Sequence, residues 1–95
     1  MKCSNLEEVR NNIDRIDNEI IKLIAERSDH VKQAVYFKKS RTDVRAFDRV
    51  EEIIKKVRKK ADFYNCSPDV VELIYRNTIN YFISEEMKIF EKNKQ

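Results

Sequence analysis

The stretch from Ser4 to about Lys38, SNLEEVRNNIDRIDNEIIKLIAERSDHVKQAVYFK, contains neither glycine nor proline. Its apolar residues (Leu6, Val9, Ile13, Ile16, Ile20, Leu23, Ile24, Val31, Ala34 and Val35) recur at the spacing of one helix face. Ser4, with Glu7 three residues on, has the form of a capping box and predicts the helix start. A helix of about 35 residues is about 52 Å long. A compact chain of this size has a radius of gyration near 12 Å. Such a helix is expected to protrude from its own domain and leave an apolar stripe in water. A second copy of the chain is the expected cover, in an intertwined homodimer.

The remaining sequence supports an all-α fold of three helices of very unequal length in one domain, residues 1–95. No glycine occurs anywhere and proline only once, which argues against the turns of a sheet protein. From Lys39 to Phe47 the helical pattern lapses, predicting a short, mobile polar loop that carries Arg41 and Arg45. Asp48 with Glu51 repeats the capping-box form, so a second helix is predicted to open at Arg49. Its buried stripe is Val50, Ile53, Ile54, Val57 and Ala61. Lys55, Lys56, Arg58, Lys59 and Lys60 are expected to face mainly outward, as a solvated face rather than a phosphate-backbone contact. Asn65 suits a left-handed C-cap. Ser67-Pro68 reads as N-cap and first residue of a third helix, with Asp69 in its first turn. That helix carries Val71, Ile74, Tyr75, Thr78, Ile79, Phe82, Ile89 and Phe90 on one broad side.

Charge narrows the functional classes. The net charge is +3, with Lys and Arg interleaved among Asp and Glu, so nucleic acid is not the expected partner. No apolar run approaches the roughly 20 residues of a membrane span, and no signal-peptide pattern opens the chain. Cys3 and Cys66 are far apart and lack metal-ligand spacing, which suits reduced thiols in a cytoplasmic protein. No glycine-rich phosphate loop, Ser-His-Asp set or His/Cys cluster is present, so neither a metal nor a cofactor is expected. His30 has no evident catalytic partner and reads as a surface or dimer-edge residue.

Several charges fall where a helical bundle has no use for them. Arg27 interrupts the apolar face between Ile24 and Val31, and Lys38 follows Ala34 by one turn. On a continuous helix these two cations point the same way, about 16 Å apart. Arg49 is near enough in sequence to reach the same place, and Glu86 lies on the apolar side of the third helix, four residues from both Phe82 and Phe90. Each has an ordinary alternative: Arg27 in a buried ion pair with Glu86, Lys38 snorkelling to solvent, Arg49 at the surface. Taken together, three cations and a carboxyl in an apolar setting point to a small, multiply negative organic ligand, handled by positioning and electrostatics.

The segment LEEVRNNIDRIDNEIIKLIAER, the FK eleven residues after its last Arg, and the loop ending in DRV together resemble the all-helical chorismate mutase family. The similarity extends from Leu6 to about Phe90. It implies an intertwined homodimer of three-helix chains with two active sites and no cofactor. Arg10, Arg27, Lys38 and Arg49 occupy the family's substrate-binding positions, with Arg10 entering the partner's pocket. Arg10 and Arg27 are seventeen residues apart, about 25 Å along one helix, too far to share one small ligand in cis. The implied substrate is a dicarboxylate, chorismate or isochorismate. Arg10 and Arg27 would clamp carboxylates, Arg49 would support them, and Lys38 would bond the ether oxygen and a carboxylate. Many mutases have an amide where Glu86 stands, and a glutamate can donate a hydrogen bond there only as the neutral acid. The first implied activity is rearrangement of chorismate to prephenate. Ala46 and Val50, however, are apolar at positions where typical mutases place carboxylates. That departure, with Cys3 and the FK-S segment at Phe37–Ser40, is similar to the isochorismate-pyruvate lyase branch, which forms salicylate and pyruvate. A helical dimer that only binds an aromatic dicarboxylate or a protein partner is the reading from another class.

Overall fold

The computed structural model describes residues 2–93, all helical or in connecting segments. The elements are α1 (Leu6–Val35), α2 (Arg41–Arg45), α3 (Phe47–Phe63) and α4 (Pro68–Asn93). Three long helices are as expected; the short α2 is not. The chain divides into two compact units, Met1–His30 and Val31–Gln95. Among the described residues no helix is long and apolar enough to cross a membrane. Cys3 and Cys66 are free thiols.

In the first unit the helix start is displaced by one residue from the Ser4–Glu7 expectation. Asn5 Oδ1 accepts from the Glu8 N–H at 2.9 Å, while Glu8 Oε2 accepts from the Ser4 N–H at 2.7 Å. Asn caps a helix as well as Ser does, and Asn5 with Glu8 satisfies the same four-residue pattern one step later. Glu7 and Glu8 then both lie in the first turn, where the helix dipole favours negative charge. The apolar stripe is open to solvent in this unit, its large residues ranging from 38% exposed at Val9 to 61% at Leu6. A contiguous apolar face of this extent marks an interaction surface.

In the second unit α1 ends at Val35, three residues before the expected limit. The N–H groups of Tyr36, Phe37 and Lys38 bond back to the carbonyls of Gln33, Ala34 and Val35 at 3.2, 3.0 and 3.0 Å, a tightened final turn that closes the helix. Helical spacing therefore does not extend to Lys38.

The expected polar loop contains α2. Ser40, in extended conformation, caps it by accepting from the Asp43 N–H at 3.1 Å, and the Asp43 carboxylate accepts from the Lys39 N–H at 3.0 Å. Val44, 1% exposed, joins Val35 and Phe90 in the core, with Met87 and Ile89 packed alongside. Arg41 adds an ion pair to Glu91 on α4, at 2.8 Å. The three apolar residues of Lys39–Phe47 (Val44, Ala46 and Phe47) crowd its end and repeat at no helical spacing, which is why the helical pattern lapses over an ordered segment.

The Asp48–Glu51 capping box does not form. α3 begins two residues earlier, at Phe47, and its N-cap is Ala46, held in the left-handed region (φ 45°) with no side-chain cap. Ala46 also ends α2, its N–H bonding the Thr42 carbonyl at 3.0 Å. One residue thus serves as C-cap and N-cap, at about 1–2 kcal/mol of backbone strain. Glu51 is drawn instead to Arg76. At the other end of α3, Asn65 is left-handed (φ 57°) as expected. The Cys66 N–H reaches the Ala61 carbonyl at 2.8 Å and the Asn65 N–H the Asp62 carbonyl at 3.2 Å, the double bond of a Schellman ending. Ser67 Oγ accepts from the Val70 N–H at 3.3 Å, confirming the start of α4 at Pro68. Along α4, Ile79 and Phe90 are buried and Val71, Tyr75, Thr78, Phe82 and Ile89 half-buried, but Ile74 faces solvent.

Charge clasps α3 to α4. Arg58 bonds Asp69 at 3.1 Å and Glu72 at 2.8 Å, while Arg76 bonds Glu72 at 2.7 Å and both oxygens of Glu51 at 3.1 and 3.0 Å. Arg58 is thus not part of the outward basic face assigned to it. Hydrogen bonding to Arg76 holds the Glu72 and Glu51 carboxyls below their ordinary value of 4.5. A depressed folded-state value adds stability above pH 4.5 that is lost as pH falls through the folded value. Glu72→Gln should therefore melt at a lower temperature than wild type at pH 7, and the gap should close in acid. Thermal melts from pH 7 to pH 2 check this; a gap unchanged at pH 2 would contradict it.

Candidate active site

The junction between α2 and α3 forms a hollow of about 550 Å³, lined by Lys38, Thr42, Asp43, Ala46, Phe47, Asp48 and Arg49. Three of the residues singled out from the sequence, Lys38, Ala46 and Arg49, meet here. They do so because α2 turns the chain back, the element sequence reasoning missed. Lys38 is half-buried and its Nζ donates to the Asp43 carbonyl at 3.0 Å. A cation suits that place, since the last carbonyls of a short helix have no N–H of their own helix to meet.

Arg49 is on the rim, exposed, with Nη1 paired to Glu52 Oε1 at 2.6 Å on its own helix. Lys56 pairs with the same oxygen at 3.2 Å. Lys56 first, and Arg49 second, hold the Glu52 carboxyl below its ordinary value. Exposed pairs of this kind are weak in water, so a ligand carboxylate competes readily for Arg49. Val50 is half-buried and does not line this hollow. It borders another of about 410 Å³, with Arg45, Phe47, Glu51, Arg76, Asn80 and Ile83. Ala46 and Val50, paired in the sequence reading, are thus separated, with Phe47 on both hollows. Glu86 on α4 is the buried charged residue of this unit, 9% exposed, and its helix neighbours Phe82 and Phe90 are half-buried and buried.

The first unit holds the other two cations. Arg10 is exposed, and Arg27 half-buried. One terminal nitrogen of Arg27, Nη1, is itself buried and has no hydrogen-bond partner among the described residues. An unsatisfied buried donor costs about 1–3 kcal/mol, and an anionic acceptor removes that cost. His30 is exposed, as expected.

The Ser40–Asp43 box, absent from the sequence reading, was present in the residues as S-x-x-D, one residue beyond the FK at Phe37–Lys38. Its signal was the same four-residue form used at the other helix starts.

Residues 9–87 match the family described as chorismate mutase type II, a span that contains all seven residues named from the sequence. Over 92 residues the chain is 29% identical to the isochorismate pyruvate lyase of Pseudomonas aeruginosa, covering 97% of this chain and 91% of that protein. The Leu6-to-Phe90 resemblance, the helical architecture and this match agree, and the chain belongs to the chorismate mutase type II family.

Proposed function

We propose that the chain is an enzyme acting on a chorismate-type dicarboxylate, and that its main reaction is elimination of pyruvate from isochorismate to give salicylate. The observation that carries this reading is the apolar pair Ala46 and Val50, in a chain whose relative across 97% of its length is an isochorismate pyruvate lyase. From the residues alone, chorismate rearrangement is the first expectation; the similarity to a lyase supports placing elimination ahead of it. Rearrangement of chorismate to prephenate is the second reading, favoured by the family match, and both reactions suit one set of residues.

The chemistry asks little of the protein beyond position and charge. In elimination the ether C–O bond breaks and the ring becomes aromatic. For the atoms to balance, one ring hydrogen passes to the methylene carbon of the departing enolpyruvyl group. In rearrangement the same bond breaks while a carbon–carbon bond forms. Negative charge grows on the ether oxygen in both, and a Lys38 ammonium placed there stabilises the transition state more than the ground state. Arg27 supplies a guanidinium with an unsatisfied buried N–H for a carboxylate, and Arg49 can exchange Glu52 for another. Arg10 acts from a second copy, in a homodimer that covers the open face of α1. Holding both carboxylates selects the folded, reactive conformer of the substrate.

Glu86 completes the set as a neutral acid that donates to the substrate's oxygens, since a carboxyl donates a hydrogen bond only in that form. Only the protonated form donates, so kcat/KM should fall as pH rises. Glu86→Gln, which donates at every pH, should be flat over the same range. A flat wild-type profile, or the same decline in Glu86→Gln, would remove this role. Turnover of isochorismate tests the reading as a whole.

A further inference from the structure

We propose that Asp43 is a positioning residue for Lys38, acting through a clamp that spans residues 38–43. The inference rests on the reading above, in which Lys38 meets the substrate. Three hydrogen bonds close the clamp. Lys38 Nζ donates to the Asp43 carbonyl at 3.0 Å, the Lys39 N–H donates to Asp43 Oδ2 at 3.0 Å, and the Asp43 N–H donates to Ser40 Oγ at 3.1 Å. Asp43 is the only residue in all three. Its carbonyl anchors the ammonium, its carboxylate fixes the backbone one residue after Lys38, and its N–H ties both to the α2 cap.

The clamp is needed because helix geometry does not reach Lys38. α1 has ended at Val35, and a lysine side chain with four rotatable carbons has many places to put its charge. The anchor itself is held. Val44, the next residue, is buried against Val35 and Phe90, and Arg41 adds an exposed pair to Glu91. The Asp43 carbonyl therefore stands in a fixed place on the edge of the hollow that Lys38, Ala46 and Arg49 share. Two N–H bonds, one to its own carboxylate and one from its own backbone, keep Asp43 in the orientation that presents the carbonyl.

A clamp of this kind sets where the ammonium waits before substrate arrives. It does not touch the reacting atoms. Asp43→Ala removes the carboxylate, frees the Lys39 N–H and loosens the turn that aims the carbonyl. Asp43→Asn keeps an acceptor oxygen for the same N–H. A misplacement of the reacting group by about 1 Å costs up to about a hundredfold in rate. Asp43→Ala should therefore lower kcat by about tenfold with KM little changed, and Asp43→Asn should restore most of that loss. In a Lys38→Ala background, Asp43→Ala should cause no further fall, because nothing is left to position.

A readout independent of turnover keeps the inference separate from the reading it rests on. In wild-type protein carrying ¹⁵N-labelled lysine, the Lys38 ammonium, assigned by its loss in Lys38→Arg, should exchange its hydrogens more slowly than the exposed lysines. Asp43→Ala and Ser40→Ala should each remove that protection, and Asp43→Asn should retain it. Circular dichroism identifies any variant that has failed to fold, and Ser40→Ala then stands in for Asp43→Ala. The inference is overturned if Lys38 shows no protection in wild type, if both cap variants leave protection intact, or if Asp43→Asn loses as much as Asp43→Ala. An inactive wild type with Lys38 protected through Asp43 would instead overturn the assigned reaction and leave the clamp standing.

Discussion

Lys38→Ala should lower kcat/KM for isochorismate by about a thousandfold. The loss of one preorganised donor to a developing oxyanion costs about a hundred- to a thousandfold, and this donor also brings a full charge. The effect should appear in kcat and kcat/KM alike, the mark of an interaction made mainly in the transition state. The variant should keep wild-type helicity, because the Lys38 side chain makes one bond to a carbonyl at the hollow's edge and no part of the Val35–Val44–Phe90 core depends on it. Salicylate fluorescence gives the rate. A loss below tenfold would take Lys38 out of the reaction and leave it as a snorkelling surface residue.

Arg10→Ala should be nearly as damaging, by about a hundredfold or more, and its test is a mixture. Arg10 and Arg27 are on the same helix, and the apolar face around them is exposed. A homodimer that covers this face can bring Arg10 of one copy to the substrate of the other. Arg10→Ala and Lys38→Ala proteins, each inactive alone, are unfolded together in equal amounts and refolded. Half of the resulting dimers are mixed, and each mixed dimer has one site with both residues intact if Arg10 acts in trans. About a quarter of wild-type activity should return. If Arg10 serves its own chain's site, every site in the mixture lacks one residue and no activity returns.

The helices were legible where apolar periodicity is long or where an end has a chemical signature. α1 announced itself by ten apolar positions in register, and the Asn65 and Ser67-Pro68 boundary by residues that suit no other role so well. The ends set by competition were not legible. Asn5 and Ser4 are equally good caps, and which one wins depends on where Glu8 reaches. Glu51 could have capped α3 through Asp48, but Arg76, twenty-five residues later, claims both its oxygens. α2 depends on a single buried valine meeting Val35 and Phe90, a long-range contact without local pattern.

The candidate site divides in the same way. Arg27 and Lys38 stood out because charge on an apolar face is conspicuous in any helical sequence. Their neighbourhood was not predictable from spacing, since α1 stops short of Lys38 and the chain turns through α2 to bring Ala46 and Arg49 beside it. The same turn sends Val50 to another hollow. Arg49 is at the surface, in an exposed pair with Glu52 of its own helix that the sequence did not announce. Asp43 escaped notice because a capping aspartate in a polar segment looks like any other loop residue until its three hydrogen bonds are seen.

On the proposed reading, elimination of pyruvate from isochorismate should outpace rearrangement of chorismate. Purified protein is given each substrate separately, and prephenate, salicylate and pyruvate are followed together. Salicylate and pyruvate should form in equal amounts from isochorismate, with a kcat/KM above that for prephenate formation from chorismate. Prephenate from chorismate with no salicylate from isochorismate would contradict it.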